Sequence, residues 1–280
     1  MFHRTRRLAE KLFRRMRSGV PTLSLEEWES KHEPLVAEAV ERLLPHLPEG
    51  GFFLDIGANV GAFSRLLREK RPDARGILFE PVAKYHAICV ERFADDDHIE
   101  VVNIALGDEN AERTIFKAPH NHGANSLVEE IMHDRRPEAF VRPDTIIEEE
   151  TITLRRVTDF LDERGIDHVD VIKSDTEGYD YAVLDGLRPW LVRTGCRPAI
   201  LAEVLQEDFH PLVEKQRAAL EAIFQLGYGR VDVGEELNWL VGDVLLLPRD
   251  SAVSSGAPSP PDSDTASQAA PITGSEPGAE

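Results

Sequence analysis

The segment Phe52-Phe53-Leu54-Asp55-Ile56-Gly57-Ala58-Asn59-Val60-Gly61 carries the most structural information in this chain. It starts with an apolar run of strand length that contains Asp55; two glycines follow, and an amphipathic run begins at Ala62. This order predicts a buried parallel strand, a sharp turn at Gly57 and the start of a helix. In open α/β sheets, ligands bind beside such a turn, at the carboxyl ends of the strands.

The spacing of the glycines argues against a dinucleotide ligand. A G-x-G-x-x-G fingerprint needs glycine at its first, third and sixth positions, because the backbone must approach a pyrophosphate closely. Counted from Gly57, these positions hold Gly57, Asn59 and Ala62, and Asn59 places a side chain where the pyrophosphate needs room. A phosphate-binding P-loop is not indicated either, since no Gly-Lys-Ser/Thr follows the turn.

S-adenosylmethionine (SAM) suits the same residues better, because it has no phosphate. Its amino acid moiety needs an acid and backbone N–H groups at the turn, and its ribose needs a carboxylate that accepts from both hydroxyls. Asp55, the turn from Gly57 through Asn59 to Gly61, and Glu80 after the second predicted strand supply these groups. We therefore predict these residues to bind the cofactor. The alternative is an ordinary βαβ unit whose glycines only turn the chain.

Strands and helices alternate along the chain around this segment. Strands are predicted at 52–56, 76–80, 99–103, 114–117, 151–155, 169–173, 199–204, 228–233 and 243–247, and helices at 24–45, 62–70, 83–93, 157–164, 179–187 and 211–226. This alternation is typical of a doubly wound, mainly parallel sheet. No helix separates the last two strands, so we expect them to form an antiparallel pair. Asn103, at the end of the third strand, is predicted to bind either the cofactor's adenine or an adjacent loop.

These features predict an α/β protein with the Rossmann-like class I SAM-methyltransferase fold, a seven-stranded, mainly parallel sheet whose last strand is antiparallel. Residues 1–20 are predicted as a basic amphipathic helix, 21–48 as an N-terminal helical segment with a capping box, 49–250 as the methyltransferase domain and 251–280 as a disordered tail. Residues 118–150 interrupt the alternation, and a long irregular insertion is typical of a functional or mobile segment. We expect this insertion and the helix at 24–45 to select the methyl acceptor.

Composition and charge exclude several other classes of protein. The chain of 280 residues is 41% hydrophobic and has no apolar run of membrane-spanning length. Its basic N-terminal residues are not followed by an apolar region, so we expect no signal peptide. Its two separated cysteines, Cys89 and Cys196, favour reduced thiols in a cytoplasmic protein. The net charge of −19 argues against a nucleic-acid partner. Residues 1–17 are nevertheless basic and amphipathic, which predicts contact with an anionic membrane or an acidic partner, or packing on the chain's own acidic domain.

Several segments together resemble the FkbM family of SAM-dependent methyltransferases. They are Asp55-Ile56-Gly57-Ala58-Asn59-Val60-Gly61, Phe79-Glu80-Pro81, Asn103-Ile104-Ala105-Leu106-Gly107, Ile172-Lys173-Ser174-Asp175-Thr176-Glu177-Gly178, Val183-Leu184-Asp185-Gly186 and the strand at 199–204. The resemblance covers about residues 50–247. It implies methyl transfer from SAM, usually to an oxygen, with a small-molecule or glycan acceptor such as a sugar, polyketide or glycolipid hydroxyl.

Three residues are candidates for the catalytic machinery. Asp175 and Glu177 follow the strand at 169–173, beside the expected position of the sulfonium methyl. An alcohol is almost wholly protonated at neutral pH, so its methylation needs a base as well as alignment. Asp175 is the leading candidate for this base, although an acid there also suits the N-terminus of the next helix. His122, in the insertion, is another candidate because histidine titrates near neutrality.

Two further predictions concern charged groups near these residues. Lys173 lies on a buried strand and is expected to form a structural ion pair, with Glu203 as the candidate partner. His120 and His122, together with neighbouring acids, have the chemistry to bind a divalent metal. Because a His-x-His pattern on a loop is weak support for such a site, we expect no metal.

Two other functions compete with methyl transfer. A nucleotide-dependent oxidoreductase is disfavoured by Asn59 in place of the central glycine. A non-catalytic SAM-fold module, binding partners through its basic helix and acidic tail, is disfavoured because Asp55, Glu80, Asp175 and Glu177 are all present.

Overall fold

A seven-stranded sheet lies at the centre of the protein. The computed structural model describes residues 24–118, 121–133, 146–205, 211–231 and 241–249. The strands, in chain order, are β1 (Phe52–Ile56), β2 (Arg75–Phe79), β3 (Ile99–Val102), β4 (Ala105–Gly107), β5 (Ala111–Lys117), β6 (Asn125–Ser126), β7 (Glu148–Arg156), β8 (Val171–Ser174), β9 (Ala199–Leu205), β10 (Tyr228–Val231) and β11 (Val241–Pro248). The helices are α1 (Leu25–Leu43), α2 (Ala62–Lys70), α3 (Ala83–Arg92), α4 (Glu129–Met132), α5 (Val157–Glu163), α6 (Asp180–Thr194) and α7 (Val213–Gln225).

The large sheet has the strand order β10-β11-β9-β8-β1-β2-β3. Its strands pair in parallel, except that β11 is antiparallel to both β9 and β10. The predicted seven-stranded, mainly parallel sheet with an antiparallel last strand is therefore confirmed. Because β1, β2, β8 and β9 run in the same direction, the residues that follow them meet at one edge of the sheet.

Helices cover both faces of this sheet, as in a doubly wound fold. Leu54 and Ile56 of β1 pack in a core cluster with residues of α5, α6 and α7. Phe53 points to the opposite face and packs with residues of α1, α2 and α3. Burial on both faces explains why this strand is an almost unbroken apolar run. Cys89 and Cys196 are both free thiols, as predicted.

A second, four-stranded sheet has the order β4-β7-β5-β6. We expected the strand at 151–155 to resume the main alternation, and this was wrong: β7 pairs with β4 and β5 and takes no part in the large sheet. Ile152 and Leu154 of β7 are buried whereas Thr151 and Thr153 are exposed. Such alternation is typical of a strand with one face towards solvent, in contrast to the apolar strands of the large sheet.

Helix α1 begins with the predicted capping box. The Ser24 hydroxyl accepts from the Glu27 backbone N–H at 3.3 Å, and the Glu27 carboxylate accepts from the Ser24 N–H at 2.9 Å. The helix ends at Leu43 and a short 3₁₀ turn, Leu44–His46, follows it. In the part of the chain that is described, no helix is long and apolar enough to cross a membrane. The predictions for residues 1–20 and 251–280 lie outside the described residues.

Helix α6 is longer than predicted. We expected it to end at 187, before Pro189, but it continues to Thr194 and ends at Gly195 in the left-handed conformation. Proline inside a helix costs about 3 kcal/mol. Trp190 and Leu191 are both fully buried, and burying two such side chains contributes roughly as much or more. The stabilisation from tertiary packing therefore offsets the cost of Pro189, and the helix continues beyond it.

Candidate active site

A cavity of about 380 Å³ lies at the carboxyl edge of the large sheet, a typical size for a small-molecule site. The turns that follow three adjacent strands form much of its wall. Gly57 and Asn59 come from the turn after β1, Glu80 from the turn after β2, and Asp175 and Glu177 from the turn after β8. Five of the nine predicted site residues thus line one cavity.

Gly57 is required by the geometry of its turn. Its φ of +79° lies in the left-handed region, which favours glycine. A Cβ at this position would clash with the backbone carbonyl of Asp175. The N–H groups of Gly57 and Ala58 both donate to the carbonyl of Phe79 at 3.0 Å. The glycine therefore lets the turn after β1 pack directly against the segment after β8.

Glu80 is buried at the end of β2 but its side chain lines the cavity. Its two carboxylate oxygens accept from backbone N–H groups, Oε2 from Asn59 and Oε1 from Val82, each at 2.8 Å. Burial raises the pKa of Glu80 to about 8, against the lowering effect of these two donors and of Lys173. The bond to Val82, the residue before α3, gives Glu80 a structural contact as well as access to the cavity.

Lys173 lies between two carboxylates, and its partner is not the one predicted. Its Nζ is 3.3 Å from Asp55 Oδ1 and 3.4 Å from Asp175 Oδ2, and it donates to the carbonyl of Gly57 at 3.1 Å. The expectation of a pair with Glu203 was wrong because Lys173 is directly opposite Asp55 in the β1–β8 pairing, where cross-strand side chains meet. Burial lowers the pKa of Lys173, but the surrounding negative charges outweigh this effect and raise it above its ordinary value.

Three more carboxylates line the cavity near Asp175, and they are Glu177, Glu203 and Asp243. Asp243 of β11 lies opposite Glu203 of β9 in the sheet. Burial and then neighbouring negative charges raise the pKa values of Glu177 and Glu203 well above the ordinary range. Burial, followed by Asp175, raises the pKa of Asp243 to about 6. Nothing in the local sequence marks Asp243, so the sequence analysis missed it.

These raised pKa values predict that the ligand-free protein loses stability as the pH rises. Glu80 takes up a proton near pH 8 in the folded protein and near 4.5 in the unfolded chain, so between these values the folded state holds more protons and stability falls with increasing pH. We expect Tm at pH 8 to be at least about 4 °C below Tm at pH 5.5, equivalent to roughly 1–2 kcal/mol for a chain of this size. Scanning calorimetry in matched buffers measures this difference.

Glu80→Gln separates this effect from general repulsion among the surface acids. The variant carries no titrating group at this position, so its Tm should fall less between the two pH values than that of the wild type. Equal falls in both proteins would show that Glu80 does not contribute.

Three other predicted residues, Asn103, Gly61 and His122, do not line the cavity. Asn103 Nδ2 donates at 2.9 Å to two backbone carbonyls, one of them that of Glu80, which matches the loop-binding alternative. Gly61, with a φ of +74°, forms the start of α2. His122 is buried, with its Nδ1 3.1 Å from the Tyr85 hydroxyl. Roles of these residues towards a ligand stay predictions.

Asp175 does not cap α6, because the N-cap residue of this helix is Tyr179, which makes no side-chain cap hydrogen bond. Asp180 accepts from the backbone N–H of Thr176 at 3.1 Å and from its hydroxyl at 2.8 Å, at the start of α6. The Asp175 carboxylate is turned to Lys173 and is about 42% exposed. Asp175 is therefore accessible from the cavity.

Helix α1 closes one side of the cavity. Five of its residues line the wall at helical spacing, and they are Trp28, His32, Leu35, Val36 and Ala39. The rings of Trp28 and His32 stack with centroids 4.3 Å apart. The sequence analysis assigned this helix to the acceptor side but did not identify the residues, although their spacing was readable as one helix face.

Within the described ranges, no group of three or more His, Cys, Asp or Glu side chains is arranged to hold a metal ion. His120 lies outside those ranges.

The fold and the site together define a class of protein. The strand order of the large sheet, its antiparallel β11, the glycine turn after β1 and the acid after β2 are the arrangement of the class I SAM-dependent methyltransferases. The chain belongs to the FkbM methyltransferase family, since the model of the methyltransferase FkbM domain matches residues 55–240. It is a SAM-dependent methyltransferase.

Two relatives and one solved structure are similar to large parts of this chain. Methyltransferase sdnD of Sordaria araneosa is 27% identical over 196 residues, which cover 59% of this chain and 75% of sdnD. The 2-O-methyltransferase NoeI of Sinorhizobium fredii is 30% identical over 147 residues, 50% of this chain and 59% of NoeI, less than two thirds of that relative. Among solved structures, a putative rRNA methylase from Clostridium thermocellum is 11% identical with a TM-score of 0.46, over 76% of this chain and 94% of that one. This last likeness concerns the fold alone.

Proposed function

We propose that the protein transfers the methyl group of SAM to a hydroxyl oxygen of a small hydroxylated molecule, such as a sugar or a glycolipid head group. One observation carries this proposal. A single cavity connects the Gly57 turn and Glu80, which suit a nucleoside, to the carboxylates of Asp175 and Glu177, which suit a proton acceptor.

The residues present fit SAM as the cofactor. Gly57 packs so closely against the backbone carbonyl of Asp175 that a Cβ would clash. The turn therefore presents backbone groups, and no side chain at this position, to the cofactor. Glu80 would bind the ribose hydroxyls, and the apolar side chains of Ile104 and Leu106 would form a wall for the adenine, since all three line the same cavity. When bound, SAM supplies an electrophilic methyl group on a positively charged sulfur.

The protein's own contribution is alignment and removal of a proton. The acceptor oxygen forms a bond to the methyl carbon while the carbon–sulfur bond breaks, and its proton passes to a base. Asp175 is positioned for this role because its carboxylate lines the cavity and is partly exposed. Lys173, held between Asp55 and Asp175, fixes the orientation of that carboxylate.

The acceptor would bind between α1 and the residues after β5. Asn121, Gly123 and Asn125 line this part of the cavity opposite Trp28 and the rest of the α1 face. Amide side chains beside an aromatic ring suit a ligand with several hydroxyls and an apolar ring face. The relative NoeI is a 2-O-methyltransferase, which supports oxygen as the methylated atom.

Thermal stability with candidate cofactors tests the cofactor assignment. S-adenosylhomocysteine, the demethylated product of SAM, should raise Tm, because a ligand that binds only the folded state stabilises it by about 2.7 kcal/mol at 100 times its Kd. NAD at the same concentration should leave Tm unchanged, because Asn59 occupies the position that a pyrophosphate requires.

Glu80→Ala serves as the site-specific control. The shift produced by S-adenosylhomocysteine should shrink in this variant, because the hydrogen bonds from the ribose hydroxyls to the Glu80 carboxyl group are lost. If neither ligand shifts Tm of the wild type, or if NAD alone does so, the cofactor assignment is wrong. Mass spectrometry of reactions with labelled SAM and candidate glycans then identifies the acceptor.

A further inference from the structure

Asn59 connects the cofactor turn to the opposite wall of the cavity. We propose that it is a positioning residue: through Asn59, cofactor binding at the turn orders the acceptor-side loop, defined as residues 121–127. This inference rests on the proposed function, since it assigns SAM to the turn and the acceptor to the loop. It gives Asn59 a role in joining the two binding sites, beyond contact with the cofactor.

The backbone of Asn59 belongs to the cofactor side. Its N–H donates to Glu80 Oε2 at 2.8 Å, and its carbonyl accepts from the Cys89 thiol at 3.0 Å. Its φ is +51°, a left-handed conformation that is uncommon for residues other than glycine. A ligand that binds the Glu80 carboxylate therefore contacts a group that is itself hydrogen-bonded to Asn59.

The side chain of Asn59 belongs to the loop. Its Nδ2 donates to the carbonyl of His122 at 2.8 Å, and the same carbonyl accepts from Asn125 Nδ2 at 3.1 Å. Because a carbonyl only accepts, this contact sets the orientation of the Asn59 amide. Asn59 Oδ1 is buried and has no donor among the described residues. Among the described residues, the side-chain amide of Asn59 therefore has one hydrogen-bond partner, and that partner belongs to the loop.

A second contact ties the other end of the loop to the candidate base region. The Ser126 hydroxyl donates to the carbonyl of Glu177 at 2.7 Å. Asn59 and Glu177 are the two residues other than glycine with positive φ in the described ranges, at +51° and +53°. Strained backbone of this kind concentrates at functional sites. Both strained residues hydrogen-bond to the same loop, one from the cofactor turn and one from the turn after β8.

Coupling of this kind is measurable by hydrogen exchange without a known acceptor. The amide of Ala124 donates to the carbonyl of Asn121 at 3.0 Å and reports on the loop. Peptides that contain residues 55–61 report on the turn. In the wild type, S-adenosylhomocysteine should slow exchange in both segments. In Asn59→Gly, which keeps the left-handed backbone, the ligand should slow exchange in the turn but no longer in the loop. The slowing of exchange that is lost in the loop should be about fivefold, equivalent to one hydrogen bond.

Asn121→Ala is the matched control, because it removes a bond within the loop, from the Gly123 N–H to Asn121 Oδ1. It should speed exchange in the loop without ligand but preserve the slowing by S-adenosylhomocysteine. Asn59→Asp, which keeps the shape of the side chain and removes the donor, should behave as Asn59→Gly if the latter fails to fold. Slowing of the loop in either Asn59 variant to the wild-type extent would overturn the inference.

The wild type distinguishes this inference from the proposed function. Slowing in the turn without slowing in the loop rejects the coupling alone and leaves SAM as the cofactor. No slowing in either segment rejects the cofactor assignment, and the coupling with it.

Discussion

Lys173→Met should lower the free energy of unfolding by about 3–5 kcal/mol, the cost of leaving a buried ion pair without one partner. Asp55 is fully buried, with Lys173 Nζ 3.3 Å from one carboxylate oxygen and the Ser64 hydroxyl 2.7 Å from the other. In the variant a neutral hydroxyl alone would face the Asp55 carboxylate. One such hydrogen bond does not offset the desolvation of a charge. Urea unfolding monitored by circular dichroism measures the loss.

Two comparisons test whether the unpaired charge is the cause. The double variant Asp55→Asn/Lys173→Met should recover part of the lost stability, because a neutral amide is less costly to bury than a carboxylate. Lys215→Met, at an exposed position on α7, should change the free energy of unfolding by less than about 0.5 kcal/mol. A double variant no more stable than Lys173→Met, or a single-variant loss as small as that of Lys215→Met, would contradict the explanation.

Asp175→Asn should lower kcat for the proposed O-methylation by about 10²–10⁴-fold, the usual contribution of a general base. The amide keeps the shape of the carboxylate but accepts a proton poorly. Affinity for S-adenosylhomocysteine should be largely retained, because its proposed binding groups, Gly57 and Glu80, lie in the turns after β1 and β2 and are not changed. Single-turnover kinetics with an acceptor identified by mass spectrometry, together with calorimetric titration of S-adenosylhomocysteine, measure the two quantities.

Glu177→Gln is the informative comparison, because Glu177 lines the same cavity two residues along the chain. If Asp175 is the base, Glu177→Gln should retain more turnover than Asp175→Asn. The reverse order of the two variants assigns the base to Glu177. Wild-type turnover in both variants would show that neither Asp175 nor Glu177 takes part in the proton transfer.

The predicted elements succeeded where the signal was local. The apolar run at 52–56 became β1, and the capping box at Ser24 and Glu27 starts α1. The prediction failed where packing outweighed a local pattern. Helix α6 passes through Pro189 because Trp190 and Leu191 are buried beyond it. The strand at 151–155 joined a second sheet, because strand-forming residues do not specify which neighbour they pair with.

The candidate site shows the same division. Glu80 and Asp175 were identified because each directly follows a strand of the sheet, and the ends of parallel strands meet at one edge. Asp243 and the lining residues of α1 were not identified, because their side chains reach the cavity only through the packing of β11 and α1 against the rest of the domain. The partner of Lys173 also depended on strand register.

The sequence by itself determined the sheet with its antiparallel last strand, the glycine turn and the acids at the strand ends, because these follow from short patterns of polarity and backbone freedom. Only the tertiary structure decided which carboxylates pair with Lys173, which face of α1 closes the cavity, and that Asn59 hydrogen-bonds to the loop carrying His122. These contacts join residues far apart in the chain. Their geometry is therefore set by packing and register, on which a local pattern carries no information.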